Sequence, residues 1–138
     1  MRVTIPPNYK PSDKETFMTP VMLEYFRQKL LRWRGELLDE SNETLQILQE
    51  ESTLEADIAD RASTEADRAL QLRTRDRARK LITKIDEALE RIELETYGYC
   101  EETREKISLQ RLEARPIATL SLEAQERHEH MEKMHRDD

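Results

Sequence analysis

Cysteine, glycine and aromatic residues are scarce in this 138-residue chain. It has one cysteine, Cys100, and two glycines, Gly35 and Gly98, and aromatic residues make up 5% of the sequence. A single cysteine excludes an internal disulfide and fits a reducing compartment. Few glycines beside many Glu, Arg, Leu and Ala residues favour long helices with a thin apolar seam over a thick core.

Long apolar runs are also absent. No stretch approaches the roughly 18 apolar residues of a membrane span, and the opening sequence MRVTIPPNYKPSDKETF has no apolar core like that of a signal peptide. The net charge of -7 disfavours non-specific binding to nucleic acid. We therefore expect a cytoplasmic protein without direct DNA binding or membrane contact.

Charged residues are abundant, at 38% of the sequence, and they occur at helical spacing.

Residues 1–18 hold three of the five prolines and are predicted to form a mobile or extended arm. Thr19 followed by Pro20 predicts the start of a helix. Two apolar seams then repeat at spacings of three and four residues, as in a coiled coil. The seams consist of Leu23, Phe26, Leu30, Trp33 and Leu37, and of Leu81, Ile85, Ala88 and Ile92.

The two seams can be paired as an antiparallel hairpin over residues 19–96, with its tip near residues 56–62. At about 1.5 Å per residue, its arms of about 35 residues would span roughly 50 Å. The register sets apolar pairs opposite each other and places polar layers between them. The pairs are Phe26–Ile92, Leu30–Ala88, Trp33–Ile85, Leu37–Leu81 and Leu48–Leu70, and the polar layers are Ser41–Arg77 and Thr44–Thr74.

The C-terminal part is predicted to form a small base and a final helix. Gly98 is expected to end the second arm, residues 97–120 to form a short irregular module, and Ser121 to cap a helix over 121–138. Leu122, Met131 and Met134 are expected to pack on the base. The predicted fold is all-α: a long antiparallel coiled-coil hairpin on a small globular base with a C-terminal helix.

Opposite charges separate along the hairpin. Residues 36–57 contain eight acidic side chains and no basic one, whereas residues 65–84 contain seven basic and three acidic side chains. Ion pairing between the arms explains this pattern, with each exposed pair contributing about 0.2–1 kcal/mol. A basic flank that meets an acidic partner is the less simple explanation, and the two are compatible.

Two aspartates at the predicted tip, Asp57 and Asp60, are candidates for chemistry. Carboxylates three residues apart could bind a hard cation or act as acid and base, but nothing nearby would bury them or shift their pKa values. Asp60 is instead expected to cap the second helix. Alternatively, the acids act inside the site of a partner. We predict that the chain itself is not an enzyme.

Cys100 and the three histidines form the other candidate group. Cys100 as a nucleophile requires a base or a lowered pKa. A zinc site with His128 and His135 has no familiar ligand spacing. A packed thiol and solvated histidines are the simpler interpretation.

Several segments resemble the DksA family of bacterial transcription factors. The resemblance spans residues from about 20 to 125 and is carried by the tip motif D-x-x-D-R-A, the arm LRTRDRARKLI, the turn YGYC and the segment QRLEARP. It implies a coiled coil that enters the secondary channel of RNA polymerase, cooperation with ppGpp, destabilised promoter complexes and repression of ribosomal RNA synthesis in the stringent response. The implied protein is a monomer.

The resemblance also implies roles for individual residues. Asp57, Asp60 and Ala62 match the working tip, which acts near the polymerase active site. Arg77 and Leu81 match polymerase contacts.

A ppGpp site shared with the polymerase is implied at Lys84 and Arg115, and a third basic position of the family is occupied here by Gln125. We expect the loss of this cation to weaken the effect of ppGpp.

The family's zinc finger, C-x2-C and C-x2-C about 17 residues apart, is degenerate here. Its positions read Cys100, Thr103, Ser121 and Ala124. Hydroxyls are poor zinc ligands and alanine is none, so no bound zinc is expected, and packing should hold the module together. The expected packing residues are Ile107, Leu109, Leu112, Ile117, Leu120 and Leu122.

Three alternatives remain open at this point. A Gre-like factor that stimulates transcript cleavage also places tip acids in the polymerase channel, although on a different sequence. A structural coiled coil without a polymerase role is the second, and a redox or chaperone role of Cys100 is the third.

Overall fold

The computed structural model describes the backbone of residues 2–51 and 58–137, and the side chains of these residues except 48, 51, 58–64 and 137. Its helices are α1 (Pro20–Glu51), α2 (Ile58–Glu93), α3 (Leu109–Ala114) and α4 (Leu122–Asp137). Over the described ranges, β pairing is limited to an isolated antiparallel bridge between Tyr99 and Lys106. The all-α prediction is confirmed.

The start of α1 agrees with the sequence. Thr19 accepts a hydrogen bond at its Oγ1 from the Met22 N–H at 3.2 Å, and Pro20 is the first helical residue. A threonine cap followed by proline is a local signal that starts a helix without any tertiary contact. The expected cap of α2 is wrong, because α2 begins at Ile58 and Asp60 is its third residue.

The end of α2 is a Schellman motif. The Thr96 N–H donates to the Arg91 carbonyl at 2.9 Å and the Glu95 N–H to the Ile92 carbonyl at 3.1 Å, with Glu95 at φ 60°. The predicted role of Gly98 as terminator is therefore wrong, since a non-glycine residue three positions earlier takes the left-handed conformation.

Two compact units make up the chain. The terminal unit comprises Met1–Leu30 and Glu87–Asp138, and the central unit comprises Leu31–Asp86. The core of the terminal unit is built on both long helices and on the C-terminal region. Its buried apolar residues include Met22, Phe26, Leu30, Ala88, Ile92, Tyr97, Cys100, Ile107, Leu109, Leu112, Ile117 and Ala124.

The central unit buries Leu37, Ala78 and Ile85 between parts of α1 and α2. Arg34 Nε donates to Asp86 Oδ1 at 2.8 Å and joins the two helices. This ion pair has its base on α1 and its acid on α2, so the predicted pairing of the acid-rich stretch with the base-rich stretch stays a prediction.

The apolar seam of α2 departs from the predicted register within the central unit, at residues 70–78. Leu70 is 59% exposed. Its predicted partner Leu48 lies outside the described side chains, so their pairing stays a prediction. Gln71, Arg75 and Ala78 lie less exposed than their neighbours, one position beyond the predicted 70, 74 and 77. A straight α-helix has 3.6 residues per turn and drifts from a 3.5-residue repeat.

The predicted threonine layer forms bonds within each helix. Thr44 Oγ1 donates to the Glu40 carbonyl at 2.9 Å and Thr74 Oγ1 to the Leu70 carbonyl at 3.1 Å. Hydroxyls satisfied by their own backbone do not specify the register between helices.

The N-terminal arm has neither helix nor strand over residues 2–19, and it packs within the terminal unit. The rings of Tyr9 and Tyr25 meet edge-on with centroids 5.9 Å apart, and those of Phe17 and Tyr99 at 5.4 Å. Lys106 Nζ lies 5.3 Å from the centroid of the Phe17 ring. The arm contains turns, closed by hydrogen bonds from the Tyr9 N–H to the Pro6 carbonyl and from the Glu15 N–H to the Ser12 carbonyl, and its aromatic side chains anchor it.

The prediction that Leu122, Met131 and Met134 pack on the base is wrong. These side chains are 55–58% exposed, and every described side chain from residue 126 to 136 is exposed. The stretch HEHMEKMHR has too few apolar residues to form a continuous stripe. In the described parts of the chain, no helix has the length and apolar character needed to span a membrane.

Candidate functional site

Most of the predicted tip, residues 56–62, lies outside the described backbone or the described side chains. Asp57 lies outside the described residues. Asp60 and Ala62 lie in the first turns of α2, and their side chains lie outside the described set.

Arg77, Leu81 and Lys84 lie on α2 in the central unit. Their spacing of four and three residues places them along one side of the helix. Arg77 and Lys84 are exposed, while Leu81 is half-buried at the edge of the seam. The face thus presents two cations beside an apolar side chain, which suits an acidic surface with an apolar contact at its centre.

Arg115 lies at the C-cap of α3 in the terminal unit and its side chain is exposed. Its backbone N–H donates to the Arg111 carbonyl at 2.7 Å. Ser108 caps the other end of α3 by accepting from the Arg111 N–H at 3.2 Å. An open cavity of about 350 Å³ beside α3 is lined by Arg111 and Arg115 among others, so an anion could approach this guanidinium from solvent.

Gln125, at the position where the family has a third cation, is engaged within α4. Its Nε2 donates to Glu129 Oε1 at 3.2 Å. A neutral amide already bonded to a carboxylate is a poor substitute for an ammonium group in phosphate binding.

The structure brings Cys100, Thr103 and Ser121 together. Cys100 is 1% exposed, and burial alone would raise the pKa of its thiol. Hydrogen bonds from the Thr103 hydroxyl and from the backbone N–H groups of Ser121, Thr103 and Glu102 outweigh burial and lower this pKa to about 6. The sulfur therefore accepts the hydrogen bonds of the loop around it.

These positions do not fit a zinc ion. Thr103 Oγ1 accepts from the Glu105 N–H at 3.3 Å, and Ser121 Oγ accepts from the Ala124 N–H at 3.3 Å as the cap of α4. Ala124 is fully buried and offers no donor atom. Among the described side chains, no group of three or more His, Cys, Asp or Glu residues is arranged to hold a metal.

Hydrogen bonds and packing hold this module together. Cys100 N–H donates to the Glu105 carbonyl at 2.8 Å, and Glu101 N–H to the Thr119 carbonyl at 2.9 Å. Four of the six predicted packing residues, Ile107, Leu109, Leu112 and Ile117, are buried. Leu120 is half-buried and Leu122 is exposed, so the prediction for Leu122 is wrong.

Two further contacts were not predicted from the sequence. Lys29 Nζ donates to Glu113 Oε2 at 2.6 Å and joins α1 to α3. His128 Nε2 contacts Glu102 Oε1 and joins α4 to the loop after Cys100. Lys29 and Glu113 lie 84 positions apart, and no local pattern connects such residues.

Comparison with known proteins identifies the family. The family model described as "DnaK suppressor protein DksA, N-terminal domain" matches residues 22–92, and "Prokaryotic dksA/traR C4-type zinc finger" matches residues 95–130. The chain is 64% identical over 131 residues to the RNA polymerase-binding transcription factor DksA of Caulobacter vibrioides, covering 95% of this chain and 92% of the relative. It is 42% identical over 115 residues to the Escherichia coli K12 protein of the same name, covering 83% and 76%.

A solved structure agrees with the fold. Transcription factor DksA2 from Pseudomonas aeruginosa matches with a TM-score of 0.79 and 44% identity, covering 85% of this chain and 90% of the other. The second family model describes a four-cysteine zinc finger, whereas this chain has one cysteine in that region. The chain therefore belongs to the DksA family, which consists of transcription factors rather than enzymes.

Proposed function

We propose that the chain binds RNA polymerase through the secondary channel and, together with ppGpp, lowers the stability of promoter complexes. The observation that carries the proposal is 64% identity along nearly the whole chain to a protein named for binding RNA polymerase. Repression of ribosomal RNA promoters in the stringent response is the expected outcome, in the cytoplasm, by a monomer without direct DNA contact.

Asp57, Asp60 and Ala62 form the working tip in this proposal. Carboxylates that act inside a partner's active site need no pKa shift of their own, because the partner supplies the metal ions and the catalytic groups. Their electrostatic effect would be strongest where the partner's site excludes water.

Arg77 and Leu81 contact the polymerase in this proposal. The exposed guanidinium and the half-buried leucine beside it support this role. An arginine contacts acidic side chains with directional hydrogen bonds, and the leucine adds apolar burial.

Lys84 and Arg115 bind ppGpp together with the polymerase. A guanidinium can contact two phosphate oxygens at once and an ammonium group contributes a point charge. Because Gln125 carries no charge and its amide is bonded to Glu129, we expect a weaker response to ppGpp than three cations would give.

In vitro transcription from a ribosomal RNA promoter tests this proposal, with purified polymerase and with or without ppGpp. Inhibition by the wild type, deepened by ppGpp, supports it, and Arg115→Ala should reduce only the ppGpp-dependent part. Stimulated RNA cleavage in stalled elongation complexes without promoter inhibition would instead identify a Gre-like factor. Absence of polymerase binding would leave a structural coiled coil.

A further inference from the structure

We propose that Lys29 and Glu113 act as a positioning pair that fixes the C-terminal end of α3 and, through it, the direction of Arg115. This inference deepens the proposed function, because it depends on Arg115 binding ppGpp. It assigns a role to two residues that do not themselves contact the nucleotide.

The pair is a close contact between two elements of the terminal unit. Lys29 Nζ lies 2.6 Å from Glu113 Oε2, and the side chains are 30% and 34% exposed. Partial burial raises the pKa of Glu113, but hydrogen bonds from Lys29 and Tyr25 and the charges of Lys29 and Lys10 outweigh burial and lower it. Glu113 is thus held as a carboxylate by several groups outside α3.

Helix α3 depends on such contacts because it has only six residues. Isolated helices of this length are unstable in water. Buried Leu109 and Leu112 anchor one side of α3, and Ser108 caps its first turn. The Lys29–Glu113 contact holds the last turn of α3 just before Arg115, and the bond from Tyr97 to the Pro116 carbonyl holds the chain just after it.

Arg115 follows Glu113 by two residues, and its N–H closes the last turn on the Arg111 carbonyl at 2.7 Å. The position of this turn therefore sets where the Arg115 side chain leaves the backbone. A planar guanidinium gains its second hydrogen bond to a phosphate only when its plane is correctly oriented. Loosening the turn should weaken phosphate binding while the buried leucines keep the unit folded.

The test uses full-length Lys29→Met and Glu113→Gln in the promoter assay. We expect the ppGpp concentration for half-maximal inhibition to rise roughly three- to tenfold, the equivalent of losing one modest interaction. Inhibition without ppGpp should stay at the wild-type level. The exchange of both residues, Lys29→Glu with Glu113→Lys, should restore a large part of the response.

Arg27→Gln is the matched control. Arg27 lies on the same helix, and its ion pair at 3.0 Å is with Glu24 of α1 instead of with a residue of α3. It should leave the ppGpp response unchanged, and thermal unfolding of all variants separates a positioning role from general destabilisation.

The possible outcomes separate the inference from the proposed function. If the wild type and Arg115→Ala respond equally to ppGpp, the proposed role of Arg115 fails and the inference with it. If Arg115→Ala weakens the response but Lys29→Met behaves like Arg27→Gln, only the inference is overturned. Equal loss of inhibition with and without ppGpp in Lys29→Met also overturns it.

Discussion

Tyr97 donates its hydroxyl proton to the Pro116 carbonyl at 2.6 Å inside the terminal unit. The tyrosine is 1% exposed, and burial raises the pKa of its phenol well above the ordinary value. The hydroxyl therefore remains a donor across the physiological range. This bond joins the segment after α2 to the segment after α3 without a metal.

Tyr97→Phe should destabilise the protein by about 1–3 kcal/mol, because it leaves the Pro116 carbonyl buried without a partner. Urea denaturation checks this, with an unchanged slope and a lower midpoint as the expected result. Stability equal to that of the wild type would mean that water or another donor satisfies this carbonyl.

The two glycines should respond to alanine in opposite directions. Gly98 has φ +94°, and a Cβ there would lie 2.8 Å from Met18 Cε and 3.1 Å from Phe17 Cζ. Gly98→Ala should cost about 1–3 kcal/mol through backbone strain and crowding.

Gly35 lies exposed within α1, and a Cβ there would meet nothing within 4 Å. Gly35→Ala should stabilise the protein by up to about 1 kcal/mol through helix propensity. Thermal unfolding of the two variants side by side is the measurement. A stabilised Gly98→Ala variant would contradict the described packing of Phe17 and Met18.

Zinc should be dispensable. Protein purified without chelator should contain far less than one zinc per chain, and chelation should leave its melting temperature unchanged, because the positions of the zinc finger are occupied by hydrogen-bonded hydroxyls and a buried alanine. Stoichiometric zinc, or a lower melting temperature after chelation, would contradict this.

A variant with cysteine at three positions, Thr103→Cys, Ser121→Cys and Ala124→Cys, serves as a positive control for the metal assay. Four thiolates restore the ligand set of a structural zinc site. Zinc uptake by this variant alone shows that the assay detects the metal when ligands exist.

The Cys100 thiol should make stability depend on pH. Its pKa in the fold is about 6, against roughly 8.5 for an unfolded cysteine. The fold favours the thiolate. The thiolate's contribution to the free energy of unfolding is therefore complete above about pH 8.5 and is lost as the pH falls through about 6.

Cys100→Ser removes this titration. The free energy of unfolding is measured at pH 6 and at pH 9 for both proteins. Its increase from pH 6 to pH 9 should therefore be larger in the wild type than in the variant. Parallel pH profiles of the two proteins would show that the thiol is not ionised in the fold.

Local signals in the sequence predicted the starts of α1 and α4 best. Thr19–Pro20 and Ser121 have the required cap chemistry within a few residues, and the structure places α1 and α4 directly after them. The heptad positions within the terminal unit were equally informative, since Phe26, Leu30, Ala88 and Ile92 are all buried.

Features that depend on tertiary bonds were not predictable in the same way. Glu95 takes the left-handed conformation because the Schellman bonds favour it there, although a glycine lies nearby. The drift of the α2 seam toward Gln71 and Arg75 follows from helix geometry and not from apolar spacing. No local sequence pattern indicated the contact of Lys29 with Glu113, because the two residues lie 84 positions apart.

The lifetime of polymerase complexes at a ribosomal RNA promoter, measured with wild type and Asp60→Asn, tests the central claim most directly. We predict that the wild type shortens this lifetime, further with ppGpp, and that Asp60→Asn still binds polymerase but loses most of the effect. Equal lifetimes with wild type, with Asp60→Asn and without either protein would contradict the proposed function.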